Sequence, residues 1–203
     1  RAMFPPAEFL KQITWDSLQD VNGHRQVIFE AIVKYRKMKN RGVVAIFQRD
    51  RFDHYSNFAR IGEGSLGGKG RGLAFIDNMV KRHAEFEEFE NATVAIPKTV
   101  VLCTDIFDEF MDSNNLYQIG LSDADDDVIL KAFLRARLPE RLMDDFLAFL
   151  DVVRSPIAIR SSSLLEDSHY QPFAGIYSTY MIPYLEDKNE MLRMLGDAIK
   201  GVY

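Results

Sequence analysis

Half of the chain's glycines fall within eleven residues: Gly62, Gly64, Gly67, Gly68, Gly70 and Gly72, with Lys69 inside the cluster. Such density lets backbone amides approach a ligand closely and turn through positive φ, the way a nest of N–H groups holds phosphate. Lys69 is a mobile point charge suited to a phosphate oxygen. The cluster runs into a helical pattern over about 70–84, whose N-terminal amides would add to a positive field. The plainer reading of the same residues is a surface loop whose lysine only solubilises it.

Familiar nucleotide loops fit the cluster poorly. Gly62-x-Gly64-x-x-Gly67 matches the dinucleotide fingerprint, but no strong strand is read directly before it. Glu87 and Glu88, near the spacing for a ribose-binding acid, lie in an acidic run with Glu85 and Glu90. A Walker A loop fails because Gly64 to Gly68 is one residue short and Gly70 stands where Ser or Thr should follow Lys69. The protein-kinase loop lacks its downstream His-Arg-Asp and Asp-Phe-Gly partners.

A second constellation is Arg160-Ser161-Ser162-Ser163, followed by Glu166-Asp167. An arginine at a strand end with hydroxyls behind it offers several donors to a phosphate. Arg160 could equally pair with Glu166 or Asp167. Gly175-Ile176-Tyr177-Ser178-Thr179 supplies another place where backbone and hydroxyls could meet an anion. The acids Asp123, Asp125, Asp126 and Asp127 read as a solvated helix start that complements the dipole, with a metal site the minor alternative. Cys103, the one cysteine, lies in the apolar run Val100–Cys103 and reads as a buried thiol.

The elements that must position these groups follow from periodicity. Residues 23–40 read as an amphipathic helix, and 42–47 as a short strand or extended segment. Residues 48–60 carry no readable pattern. The helix over about 70–84 puts Leu73, Ile76, Met79 and Val80 on one side. Thr93 to Cys103 is β-rich but broken by Pro97, giving two short strands or one kinked strand. Thr104 is placed to cap a helix over about 105–113, and Ser122 one near 123–137. Pro139 opens another, with Leu142, Met143, Phe146, Leu147 and Leu150 facing inward. Strands are expected at 156–160 and 176–182, and a last helix through Met191, Leu192, Leu195 and Ile199. The mixture makes the chain α+β, or α/β with a mixed sheet.

The whole composition sets the frame. The 203 residues are 47% hydrophobic and 27% charged, which excludes disordered, collagenous and coiled-coil classes. Folding at this length buries roughly 70% of the unfolded surface, enough for a core. A net charge of −5 argues against a general nucleic-acid or anionic-membrane binder, though a local basic patch survives it. One cysteine excludes an internal disulfide and a multi-cysteine metal cage. No apolar run is long enough to span a membrane and no leader pattern opens the chain, so a reducing cytoplasm is expected. The chain opens on Arg1 and stops at Tyr203 behind a helical pattern, so it is expected to be a piece of a longer protein.

Taken in order, Ser65-Leu66-Gly67-Gly68-Lys69-Gly70, then Ile96-Pro97-x-x-Val100 leading to Thr104, then Ile159-Arg160-Ser161-Ser162 with Glu166-Asp167 and Phe173-Ala174-Gly175, resemble the nucleotide-binding domain of phosphoenolpyruvate synthase and pyruvate phosphate dikinase. The resemblance covers residues 61–183. It implies an ATP-grasp fold, in which two α+β lobes hold ATP, with a mixed sheet, flanking helices and a C-terminal side that lies beyond this chain. It implies ATP as ligand, with Gly67, Gly68, Lys69, Arg160, Ser161, Gly175, Ser178 and Thr179 as the nucleotide-binding residues. Lys69 and Arg160 match the family's phosphate-contacting lysine and arginine, and Gly175 to Thr179 its glycine-containing phosphate loop.

The same resemblance implies a kinase or phosphotransferase parent in which ATP phosphorylates a histidine on a separate swivelling domain. A third domain acts on pyruvate, and AMP is the nucleotide product. Mg2+ ligands are expected beyond residue 203, no metal ligand or catalytic residue is assigned within the chain, and Glu166 and Asp167 are not given a metal role. Where the family has an acid before the threonine of its Gly-x-x-Asp-Thr loop, this chain has Ser178. None of His24, His54, His83 and His169 is read as the phosphorylated histidine. Residues 1–60 read as an N-terminal connector with a packing or homodimer helix, and 61–203 as the nucleotide-binding part, inactive alone. A non-catalytic ATP-sensing or interaction module of the same fold is the alternative, and a dinucleotide binder the third.

Overall fold

The computed structural model describes residues 44–52, 57–87, 89, 91–164, 166 and 176–203. The helix read at 23–40 and the histidines His24, His54 and His169 lie outside the described residues. The chain divides into two compact units, residues 1–44 with 76–95 and residues 45–75 with 96–203.

In the larger unit, β1 (Ala45–Ile46) pairs with β2 (Phe58–Ile61), which leads into the glycine cluster. Helix α1 (Gly67–Arg82) follows and runs on into the smaller unit. The chain returns through β3 (Thr99–Leu102). All three strands are parallel in the order β1-β2-β3, with Ala45 opposite Ala59 and Phe58 to Ile61 opposite Thr99 to Leu102. Phe58, Ala59 and Ile61 are buried, which is why β2 is a strand although no alternation marks it: both faces carry apolar residues and only Arg60 interrupts. The segment 93–98 is not a strand. Pro97 cannot donate to a ladder, and its carbonyl accepts from the Thr99 hydroxyl, so pairing starts only at Thr99.

Helices α2 (Thr104–Ser113), α3 (Tyr117–Gly120), α4 (Asp126–Arg135) and α5 (Arg141–Val152) come next. An antiparallel pair, β4 (Ile157–Arg160) and β5 (Thr179–Ile182), precedes α6 (Lys188–Val202). The Asp187 side chain caps α6 by accepting from the amides of Asn189 and Glu190. Helix α4 starts three residues later than expected because Ser122 spends its hydroxyl on Ile119 O and the Ala124 amide, making a local turn instead of a cap.

The core gathers one stripe from each of three helices. Ile106 and Phe110 of α2, Leu142, Phe146 and Leu150 of α5, and Met191, Leu195, Ala198 and Ile199 of α6 recur at i, i+4 or i, i+7 and are buried. Helix α6 packs on α4, α5 and the β4–β5 pair, so Ile182 is buried beneath it. Cys103 is 1% exposed and its thiol is free, as expected for a small apolar filler. The architecture is α+β with two small sheets, one parallel and one antiparallel. Among the described residues no helix is long and apolar enough to cross a membrane.

In the smaller unit the described residues complete α1 and add a single 3-10 turn, Ala84–Glu87. Lys81 pairs with Asp77 one turn back, and His83 lies exposed 3.5 Å from Glu85.

Candidate functional site

The glycine cluster is built by β2, α1 and the start of α2. Gly62, with φ +99°, turns the chain as it leaves β2, and Arg60 secures the turn by donating to Gly62 O and to Glu63 Oε2. The amides of Glu63 and Gly64 then donate to the two carboxylate oxygens of Asp105, each at 2.9 Å. The Ser65 amide donates to Thr104 Oγ1 at 3.0 Å, and Ser65 O accepts the Thr104 amide. Thr104 is therefore the first residue of α2 rather than its cap, because its hydroxyl serves the neighbouring loop; Cys103 holds the cap position without a capping bond from its side chain. The anion expected in this nest is present as a side chain of the protein itself.

Burial alone would raise the pKa of Asp105. The hydrogen bonds from Glu63, Gly64 and its own amide, with the nearby Arg141 charge, outweigh that and hold it below the ordinary carboxylate value.

Helix α1 begins at Gly67, three residues before the expected start, because Ser162 caps it from across the fold. Ser162 O accepts the Gly68 amide at 2.8 Å, Ser162 Oγ accepts the Gly70 amide at 2.9 Å, and the same hydroxyl donates to Leu66 O at 2.6 Å. These bonds satisfy helix-start donors that would otherwise lack partners. The approach requires glycine at 67: φ is +73°, and a Cβ there would sit 1.8 Å from Ser162 O. Gly70 is buried against Leu66, Ser162 and Val101. Ser162 thus brings the segment after β4 against the first turn of α1, which carries Lys69.

Lys69 forms an ion pair with Glu166, and both side chains are mostly buried. Glu166 therefore belongs to Lys69 and not to Arg160. Arg160 stands exposed at the end of β4, opposite Thr179 of β5. Directly opposed residues of an antiparallel pair share a face, so Arg160, Thr179, Ala158 and Met181 lie on one side, all exposed. Ile157, Ile159, Tyr180 and Ile182 face the other way, toward α6. Ser161 Oγ accepts the Ser163 amide at 3.1 Å, and the Tyr177 hydroxyl bonds Ser163 Oγ at 3.2 Å, which ties the approach to β5 to the exit from β4. Ser178 is exposed just before Thr179. Gly175 lies outside the described residues.

Ser162 sets the exit from β4, which carries Arg160 and Ser161, against the helix start that carries Gly67, Gly68 and Lys69, and the β4–β5 pairing puts Thr179 opposite Arg160. Loop amides 63, 64, 65, 67, 68 and 70 already have protein acceptors, and Arg71, one turn into α1, donates to Gly67 O and Ser65 Oγ. Three residues that hold the loop and the helix start carry no mark of that role in the sequence. Asp105 and Thr104 read as helix-start residues, and Ser162 as one hydroxyl of three; nothing local distinguishes them. Glu166 was legible only as an acid near a basic segment. The strand missing from the dinucleotide pattern is present as β2, but the amides that pattern would offer to pyrophosphate are the ones closed by Asp105 and Ser162. Among the described residues no group of three or more His, Cys, Asp or Glu is placed to hold a metal ion.

Residues 63–203 match the family described as the pyruvate phosphate dikinase AMP/ATP-binding domain. No curated protein and no solved structure matches the chain.

Proposed function

The chain belongs to the family of the pyruvate phosphate dikinase AMP/ATP-binding domain, and from that premise we propose that it is the ATP-binding part of a larger phosphotransferase of the phosphoenolpyruvate synthase and pyruvate phosphate dikinase type. In this reading the parent passes phosphate from ATP to a histidine on another domain, and a further domain uses it. The observation that carries the reading is the Ser162 staple, which sets the Arg160–Ser163 segment against the Lys69 turn of α1. Phosphoryl transfer is largely a positioning and electrostatic task, so a lysine-bearing helix turn joined by hydrogen bonds to an arginine-bearing strand exit suits it.

Each residue has a part. Lys69 and Arg160 balance phosphate charge, and Ser161, Ser178 and Thr179 donate hydroxyl hydrogen bonds. Gly67 and Gly68 allow the close approach of the β4 exit that fixes Lys69, and Gly175 keeps the place the family resemblance implies. Mg2+, held by carboxylates beyond residue 203, would supply further positive charge on the phosphates when bound. We assign residues 61–203 to one lobe of an ATP-grasp domain, its parallel sheet completed by β1 and β2, and the rest of 1–60 to a connector with a homodimer element, in a cytoplasmic protein that contacts neither nucleic acid nor membrane.

The test is a titration of MgATP into the intact parent protein beside its Lys69→Ala variant. The substitution should weaken binding by roughly 1.5–3 kcal/mol, the scale of one charged hydrogen bond. Unchanged affinity would remove Lys69 from the site. A second reading, an ATP-sensing module without turnover, is favoured by one observation: Ser178 stands exposed where the family carries an acid. Incubation of the parent with labelled ATP separates the two, since label on histidine requires the enzyme and ATP binding without it the module.

A further inference from the structure

We propose that Glu166 is the resident counter-ion of Lys69, occupying the lysine in the nucleotide-free protein and yielding it to phosphate, so that Glu166 sets how tightly nucleotide is held. The inference rests on the functional reading above and adds a residue that reading leaves unassigned. Lys69 Nζ and Glu166 Oε2 are both closed off from solvent and face each other. Neither atom has any further hydrogen-bond partner among the described residues. An ammonium carries three donors, so a single carboxylate oxygen leaves most of its capacity unspent. A buried ion pair is stable against separation only when other hydrogen bonds satisfy the rest of each group. This pair has none among the described residues, and an incoming phosphate has the oxygens to supply them.

The contrast with other pairs in the same unit isolates it. Arg49 forks to Asp144 and Asp145 and also reaches Arg141 O, while Arg141 grips Glu109; these are exposed surface pairs with their hydrogen bonds made. Arg160, the other cation of the site, has no carboxylate partner among the described residues. A triphosphate therefore reaches Lys69 only by displacing Glu166, whose like charge opposes it. Release of Glu166 need not disturb the scaffold, because the bonds that fix α1 come from Ser162, four residues earlier.

The test uses Glu166→Gln, which removes the charge and keeps the shape, with Glu166→Asp as a second variant should the first fail to fold. ATP should bind Glu166→Gln several-fold more tightly than the parent protein, both with and without Mg2+. The gain should vanish in a Lys69→Ala background, as expected for coupled neighbours. Without any nucleotide, the Lys69 amine of Glu166→Gln should react several-fold faster with an acylating reagent, read by peptide mass spectrometry. Glu166→Asp should fall between. An unchanged acylation rate, or ATP affinity that stays level or falls, overturns the counter-ion role; a fall confined to MgATP would make Glu166 a metal ligand instead. ATP binding indifferent to Lys69→Ala would defeat the functional reading, whereas the nucleotide-free labelling decides the Lys69–Glu166 relation independently.

Discussion

The Asp105 carboxylate accepts the amides of Glu63 and Gly64 and so does for the glycine loop what a bound anion would do elsewhere. Its pKa is depressed in the folded protein, so the stability it confers is present above the ordinary carboxylate value, near 4, and is lost as pH falls through the lowered value. Asparagine at this position retains one acceptor oxygen but turns an NH2 toward a backbone N–H. Asp105→Asn should therefore lower stability at pH 7 by about 1–2 kcal/mol, a charged hydrogen-bond value discounted for part exposure. In urea melts the gap between parent and variant should close as pH falls through the lowered pKa of Asp105. A gap that persists there would show that the carboxylate's charge is not what holds the loop. At this scale the sequence exposes residue types but not their partners: Asp105 and Gly64 are 41 residues apart.

Helix α1 shows how one element can hold glycines with opposite demands. Gly67 lies at φ +73° with Ser162 O in the place of any Cβ, whereas around Gly72 nothing lies within 4 Å. Gly67→Ala should cost roughly 1–3 kcal/mol from backbone strain alone and more from the clash. Gly72→Ala should stabilise by about 0.5–1 kcal/mol, since it removes a helix-interior glycine without contact. Paired thermal melts check both, and equal effects would mean that α1 does not start at Gly67. From sequence the two residues are indistinguishable members of a cluster, and four glycines in six residues argue against a helix start. The helix begins there because Ser162 supplies its cap from 92 residues away. Elements with a full apolar stripe, such as α2, α5 and α6, were legible because the stripe itself drives their packing.

At the scale of the molecule, the core beneath the site is the α2–α5–α6 stripe, with Ile106, Phe110 and Leu142 all 0% exposed. Leu142→Ala should cost about 2–5 kcal/mol, measured by urea unfolding, because a cavity opens where the surroundings relax only partly. A loss under 1 kcal/mol would mean that the core is looser than this packing. The sequence by itself determined the α+β class, the core helices, the β4 strand, the buried thiol and the family, because periodicity, apolar runs and an ordered set of short motifs are properties of neighbouring residues. It did not contain β2 as a pattern, since a strand apolar on both faces and cut by Arg60 lacks alternation. Nor did it show which acid answers Lys69, which serine caps α1, or that Asp105 fills the loop's nest. Those are pairings across 41 to 97 residues, and only a folded chain brings such groups within hydrogen-bonding distance, where desolvation makes an unmatched partner costly.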